Sequence, residues 1–338
     1  MPLYFIKRED FNNWIIRLSE SSSLFLPRYT NREKGETLFS LYEGFGIEEE
    51  VFKAIRSVNP LKEFFFLPQE EVASYFGEKG ISKGGKNRIL IGAKSCDILP
   101  LRVHKNIFLL KNFSDPFFQK RMEDTIILTA DCPTPEKTCF CNLVNLTPHG
   151  SREVDGNLSI LEDGLILETF TEKGEGLVKY GSFEPAPNSY LEKRDELRKK
   201  AEEILFSINS NPLPSDLPKR IEKREKRDFW EEKKKRCVEC FGCLLVCPTC
   251  FCFLLYDFPV EDGYKRMKVW DTCYMASYAR VGGGLNARPL FFQRFRNRFH
   301  CKFMNTYYDF NFFSCSGCGR CYKVCPAKID IREVLLSV

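Results

Sequence analysis

The placement of cysteine constrains this chain more than any other feature. One spacing occurs twice, as Cys237-x2-Cys240-x2-Cys243-x3-Cys247-Pro248 and as Cys315-x2-Cys318-x2-Cys321-x3-Cys325-Pro326. Two-residue gaps let a backbone coil around an iron–sulfur cubane so that three thiolates reach three iron corners. Gly242, Gly317 and Gly319 permit tight turns close to the cluster, and the proline fixes the turn after the fourth cysteine. Paired C-x2-C units also bind structural zinc, but four cysteines in one run closed by Cys-Pro follow the cluster pattern rather than the zinc pattern.

Where two such ferredoxin-type runs share one domain, the fourth cysteine of each ligates the other cluster. The expected ligands of one [4Fe-4S] cluster are therefore Cys237, Cys240, Cys243 and Cys325, and those of the other are Cys315, Cys318, Cys321 and Cys247. This exchange closes the 248–314 insertion onto itself and sets two clusters close enough for fast electron tunnelling. Apolar neighbours such as Phe241, Val246, Val324 and Ile329 would exclude water, and hydrogen bonds to sulfur would tune the potentials.

Eight of the 16 cysteines lie outside the two runs. Cys96 follows the apolar stretch RILIG (88–92), and Cys132 follows TIILTA (125–130). If both stretches are parallel neighbouring strands, both thiols emerge at one sheet edge, where α/β folds place their ligands. With Cys139 and Cys141 of TCFC they could hold a third cluster. A rival grouping uses the second TCFC, bringing Cys250 and Cys252 beside Cys139 and Cys141. A third reading leaves them all as buried free thiols, cysteine being among the most buried residue types. Cys273 and Cys301 fall in stretches that read as helical and receive no role.

The rest of the chain reads as an α+β protein: an N-terminal α/β domain (1–210), a charged helical linker (211–236) and a helix-rich two-cluster domain (237–338). Phe11, Trp14, Ile15 and Leu18 share one face of a helix predicted over 5–20, and a second helix is predicted over 48–58. A helix over 97–108 after the strand 88–92 makes a βα unit. Residues 158–170 read as two strands around a Glu-Asp-Gly turn. Charged helices over 188–208 and 219–236 flank the proline-rich NPLPSDLP, and helical pieces are expected at 273–281 and 288–302. The segment 219–236 mixes charge signs at helical spacing, as a solvated linker or as a docking face for an acidic partner.

Several classes of protein are disfavoured. The start MPLYFIKREDFNNW has no apolar signal core, so a reducing, cytoplasmic compartment is expected rather than a secreted disulfide scaffold. No apolar run approaches the ~18–20 residues of a membrane span. Basic residues (51) scarcely exceed acidic ones (46), which gives no basis for nucleic-acid binding. His104, His149 and His300 are isolated, and Gly282 to Gly284 follow a helical reading instead of a strand, against a nucleotide fingerprint. No nucleophile elbow or paired-carboxylate motif is evident.

These motifs together resemble a known family. GAKSCDILPLRVHKNIF (92–108), DCPTPEKTCFC (131–141), CVECFGCLLVCPTCFC (237–252), WDTC (270–273) with GGGLNARP (282–289), and CSGCGRCYKVCPAKIDIREVL (315–335) resemble the iron–sulfur beta subunits of cytoplasmic sulfhydrogenases, which are similar to the iron–sulfur subunit of anaerobic sulfite reductase. The resemblance implies a non-catalytic subunit that relays electrons between a flavoprotein carrying FAD and reacting with NAD(P)H and a catalytic subunit. The catalytic partner would be a hydrogenase, a sulfite reductase or a heterodisulfide-reductase-like protein. NLVNLTPHG (142–150) departs from the family's small-residue, glycine-containing stretch after TCFC, which bears on how a third site is enclosed. An alternative is an enzyme subunit with its own flavin or substrate pocket in the N-terminal domain.

Overall fold

A computed structural model describes residues 2–44, 46–75, 87–110, 112–150, 152–261 and 263–338. An N-terminal sheet region is followed by a helix-rich region that carries the two cysteine runs. Four strands form the parallel centre of a mixed eight-stranded sheet: Ser23–Asn31, Arg88–Ala93, Thr125–Ala130 and Gly156–Ile160. Fully apolar strands such as Ile89 to Ile91 suit a layer covered on both faces. On one side lie Phe11, Trp14, Ile15 and Leu18 of the helix Arg8–Ser21. On the other, Ile98, Leu101 and Phe108 of the helix Ser95–Phe108 pack against Leu90 and Ile127.

The expected parallel pairing of 88–92 with 125–130 is present, with Leu90 opposite Ile127. So is the hairpin within 158–170, where Leu165 pairs with Ile160. The helix predicted from residue 5 begins only at Arg8, because Leu3–Lys7 is a strand paired antiparallel to Gly164–Thr169, Phe5 facing Ile166. Tertiary pairing overrides the helical reading there. The expected helix at 48–58 is a single 3-10 turn, Glu49–Phe52.

Two other helices differ for an identifiable reason. The 219–236 stretch splits into Leu217–Lys223 and Arg227–Lys234, and the Trp230 indole N–H donates to the Arg224 carbonyl at 2.6 Å, taking an acceptor that a continuous helix would use. At 273–281 there are turns instead of a helix. Arg294 Nε donates to the carbonyl of Tyr274 at 2.8 Å and Asn286 Nδ2 to that of Ala276 at 2.7 Å, so side chains hold the carbonyls of the segment. The helix predicted over 288–302 runs from Phe291 to His300 and continues as a π-helical turn, Cys301–Asn305.

The strands Phe253–Val260 and Gly263–Trp270 have no counterpart in the sequence reading. Gly263–Trp270 pairs with Gln69–Tyr75 from the N-terminal half, and the Lys268 ammonium sits 2.6 Å from Glu70 and 2.7 Å from Asp115, all in partly or fully buried positions. The two halves of the sequence therefore share a sheet as well as a core.

Candidate metal centres

The first set of thiols is built by backbone coiling. Glu239 and Phe241 adopt left-handed φ angles of 53° and 59°, and a short helix, Gly242–Leu245, starts immediately after. In the second run the matching left-handed residues are Gly317 and Gly319. Spacing alone assigns the turn in the first run to Gly242; the structure gives it to Phe241, whose ring covers the site. Cys237, Cys240, Cys243 and Cys325 line one pocket with Cys321, closed by Phe241, Tyr274 and Phe295. The fourth cysteine of the second run thus lies with the first three of the first run. Burial pushes the Cys243 thiol up to about 11.

Around the second set, Cys247 lies in mutual electrostatic reach of Cys315 and Cys321. Burial pushes Cys315 up to about 12, while the hydrogen bond from Cys250 holds Cys247 well below the usual thiol range. Cys318, expected here, also lines the neighbouring pocket of the third set. The second and third sets share a wall at this residue.

The third set sits at the carboxyl edge of the parallel strands. Cys96 enters from the first turn of the helix Ser95–Phe108, Cys132 from the end of Thr125–Ala130, and Cys139 and Cys141 from the following loop; all four line one pocket with Cys318. Burial pushes Cys132 up to about 11 and Cys141 to about 12. The unusual 142–150 stretch encloses the site by its own geometry. A 3-10 turn, Cys141–Val144, ends on left-handed Asn145, the N–H of Leu146 donates to the Cys141 carbonyl, and Thr147 and Pro148 close the wall. Cys250 and Cys252, the alternates, are absent from this lining: Cys250 lies against Cys247, and Cys252 against Cys273 and the Tyr278 hydroxyl.

Whether such sites suit anionic clusters can be tested on the surrounding charges. Burying a lone ammonium or guanidinium costs several kcal/mol unless an anion accompanies it. Lys62, Lys94, Arg298 and Lys302 are at most 7% exposed, and among the described residues none makes an ion pair with a carboxylate. Among the described residues Lys94 Nζ reaches only the carbonyls of Phe52 and Asp131, and Lys302 Nζ only Thr249 and the Ser314 carbonyl. Arg298 lines the first pocket, its Nε has no partner among the described residues, and it lies within hydrogen-bond reach of Cys321. Arg56 points its Nη1 at Cys139, 4.0 Å away. Each cation faces cysteines, so thiolates holding an iron–sulfur cluster would supply the negative charge that Lys62, Lys94, Arg298 and Lys302 lack. Among the described residues no three His, Cys, Asp or Glu side chains converge to hold a single ion. One zinc would require its sulfurs within about 2.3 Å of a common centre.

Sequence reasoning missed these cations. The available signals were Lys94 two residues before Cys96, and Arg298 and Lys302 four residues apart on one helical face.

Comparison with known proteins agrees with the geometry. Residues 236–329 match the family of 4Fe-4S dicluster domains. This stretch is a 4Fe-4S dicluster domain. Over 337 residues, 98% of its length, the chain is 29% identical to the sulfhydrogenase 2 subunit beta of Pyrococcus furiosus and covers 96% of that protein. It is 25% identical over 185 residues to the F420-dependent formate dehydrogenase subunit beta of Methanocaldococcus jannaschii, an overlap of 53% of this chain and 40% of that one. The family resemblance read from the motifs therefore extends along the whole chain. It supports an iron–sulfur electron-transfer subunit of an oxidoreductase. Among the described residues no helix is long and apolar enough to cross a membrane.

Proposed function

We propose that the chain relays electrons through [4Fe-4S] clusters between a flavoprotein that carries FAD and reacts with NAD(P)H and a catalytic subunit of the same cytoplasmic complex. Bound clusters supply one-electron redox chemistry. The chain's residues hold them, exclude water and balance their charge. We assign the ferredoxin-type ligands as Cys237, Cys240, Cys243 and Cys325 for one cluster and Cys315, Cys318, Cys321 and Cys247 for the other. Cys96, Cys132, Cys139 and Cys141 are assigned to a third. The N-terminal region to residue 210 and the region from 237 are proposed as the two units that carry them.

The observation that carries this reading is the contiguity of the three thiol sets. Cys321 lines the first pocket while facing the second set, and Cys318 belongs to the wall between second and third. A path thus runs from the sheet edge to Cys240, the exposed thiol of the first set. Anaerobic co-purification followed by mass spectrometry of the accompanying chains tests it, together with reduction of the clusters by NAD(P)H through the co-purified flavoprotein. About twelve iron atoms per chain supports the third cluster and about eight rejects it. A monomer with no flavoprotein and no hydrogenase, sulfite reductase or heterodisulfide-reductase-like partner would overturn the relay.

A further inference from the structure

The ligand spacing of the first run ends at Cys247-Pro248, and the residues that follow turn back on it. The Cys250 N–H donates to the Cys247 carbonyl at 3.3 Å, closing a turn with Pro248 and Thr249 at its centre. This turn brings two side chains to one sulfur. Thr249 Oγ1 lies 3.2 Å from Cys247 Sγ, and the Cys250 thiol is within hydrogen-bond reach of the same atom. Lys62 holds the turn in place, its Nζ 3.2 Å from the Cys250 carbonyl.

Lys302 stands behind Thr249. Its Nζ lies 2.6 Å from Thr249 Oγ1 and 3.3 Å from the Ser314 carbonyl, and the residue is 2% exposed. It belongs to the π-helical turn Cys301–Asn305, a device that often marks functional sites, and its own carbonyl accepts from the Ser314 N–H at 2.9 Å. Lys302 thus ties together the two stretches that carry second-set thiols, since Thr249 follows Cys247 by two residues and Ser314 directly precedes Cys315. An ammonium has only protons to offer, so it donates to the Thr249 oxygen. A cysteine bound to iron has no proton, so the Thr249 hydroxyl must be the donor to Cys247. The donors then run one way, from Lys302 through Thr249 to Cys247 Sγ.

Packing alone does not account for this arrangement. Valine has the shape of Thr249, which is 1% exposed, and methionine would fill the space of Lys302 without the cost of burying an ammonium. Hydrogen bonds to a ligand sulfur, and positive charge close by, favour the more negative, reduced state of a cluster. We propose that Thr249 donates its O–H to the Cys247 sulfur and that Lys302 is the positioning residue that orients and polarises it, raising the reduction potential of the second cluster. Thr249 and Lys302 keep their protons throughout, and the reducing electron comes from the flavoprotein. Cys321 and Cys318 stand in the walls towards the first and third sets, so this potential would govern passage in both directions. The role rests on the ligand assignment proposed above for the second set.

Redox titration of the full chain, purified without oxygen and followed by electron paramagnetic resonance, tests it on the parent, Thr249→Val, Thr249→Ser and Lys302→Met. The cluster to watch is the one whose signal Cys315→Ser removes. Thr249→Val should shift its reduction equilibrium about tenfold towards the oxidised state, about 59 mV for a one-electron couple, with iron content unchanged. Thr249→Ser, which keeps the hydroxyl, should restore the parent value, and Lys302→Met should shift the same midpoint in the same direction as Thr249→Val. A threonine that only packs would lower the thermal midpoint and leave the potential alone. Unmoved potentials in Thr249→Val and Lys302→Met overturn the proposal, as does a serine variant that shifts as far as the valine one. Parent protein without iron would sink the proposed function and this role together, whereas intact signals with unmoved potentials sink this role alone. Should Lys302→Met not fold, the two Thr249 variants still decide.

Discussion

The N–H of Phe140 donates to the carbonyl of Gly317 at 2.8 Å, joining the loop that carries Cys139 and Cys141 to the second ferredoxin-type run. The contact is possible only because position 317 has no side chain. Its φ is +61°, and a Cβ there would lie 2.5 Å from the backbone nitrogen of Cys141 and from the carbonyl of Phe140. The fold and the proposed electron path meet at this junction.

Gly317→Ala is therefore expected to destabilise the chain by about 3 kcal/mol, through a strained left-handed residue plus a backbone clash. The thermal midpoint of anaerobic protein should drop by several degrees, with iron lost from the second and third sites before the first. An unchanged midpoint would mean that the junction can open at no cost.

The same junction is pinned by charge. Arg320 Nη2 lies 2.8 Å from Asp97 Oδ1, with side chains 3% and 1% exposed. Removing one partner of a buried pair leaves an uncompensated charge and costs about 3–5 kcal/mol. Asp97→Asn should cost that much in denaturant unfolding, and adding Arg320→Met should recover part of it. A cost below about 0.5 kcal/mol, the range of an exposed pair, would show that nearby thiolates already satisfy Arg320.

The parts of this arrangement legible in the sequence are those that follow from local spacing. The cysteine runs, the parallel pair of apolar strands and the sheet-edge position of Cys96 and Cys132 all depend on short-range pattern. Phe11, Trp14, Ile15 and Leu18 are buried as their spacing implies, although the strand before them reads as helix. What escapes depends on long-range contact. Leu3–Lys7 is a strand because Gly164–Thr169 is there to pair with it. FLLYDFPV (253–260) has no apolar and polar alternation and contains Pro259, so its hairpin cannot be told from a loop. The contact between Cys252 and Cys273 needs the segment 271–281, which a side chain of the next helix holds in place.

Arg298 offers a test of charge balance at the clusters. It lies near Cys243 and Cys321 with no carboxylate partner among the described residues, so it would favour the more negative, reduced state of an adjacent cluster. Arg298→Gln should lower the potential of the first or second cluster by roughly 60 mV, a tenfold change for a one-electron couple. Arg298→Lys should recover part of that shift. Redox titration followed by electron paramagnetic resonance reads both, and an unshifted Gln variant would remove Arg298 from the tuning role.

His104 sets a pH dependence of its own, only partly opposed by Cys247 and the Cys250 backbone. Its ring is fully buried, edge-on to Phe66, Phe108 and Phe118, and burial together with the nearby Lys62 charge pushes its pKa down to about 3 from 6.5. The folded chain keeps the imidazole neutral, whereas the unfolded chain protonates it below about pH 6.5. Between those values the unfolded state binds more protons, so stability is fully present above pH 6.5 and is lost as the pH falls towards 3. From pH 8 to pH 5.5 the loss due to this residue is roughly 1.4 kcal/mol. His104→Leu removes the titrating group while keeping an apolar side chain of similar size. Denaturant unfolding of parent and variant at the two pH values, without oxygen, should show the variant losing less on acidification by about that amount. Equal losses in both would mean that the unfolded chain shields this histidine as well as the folded one does.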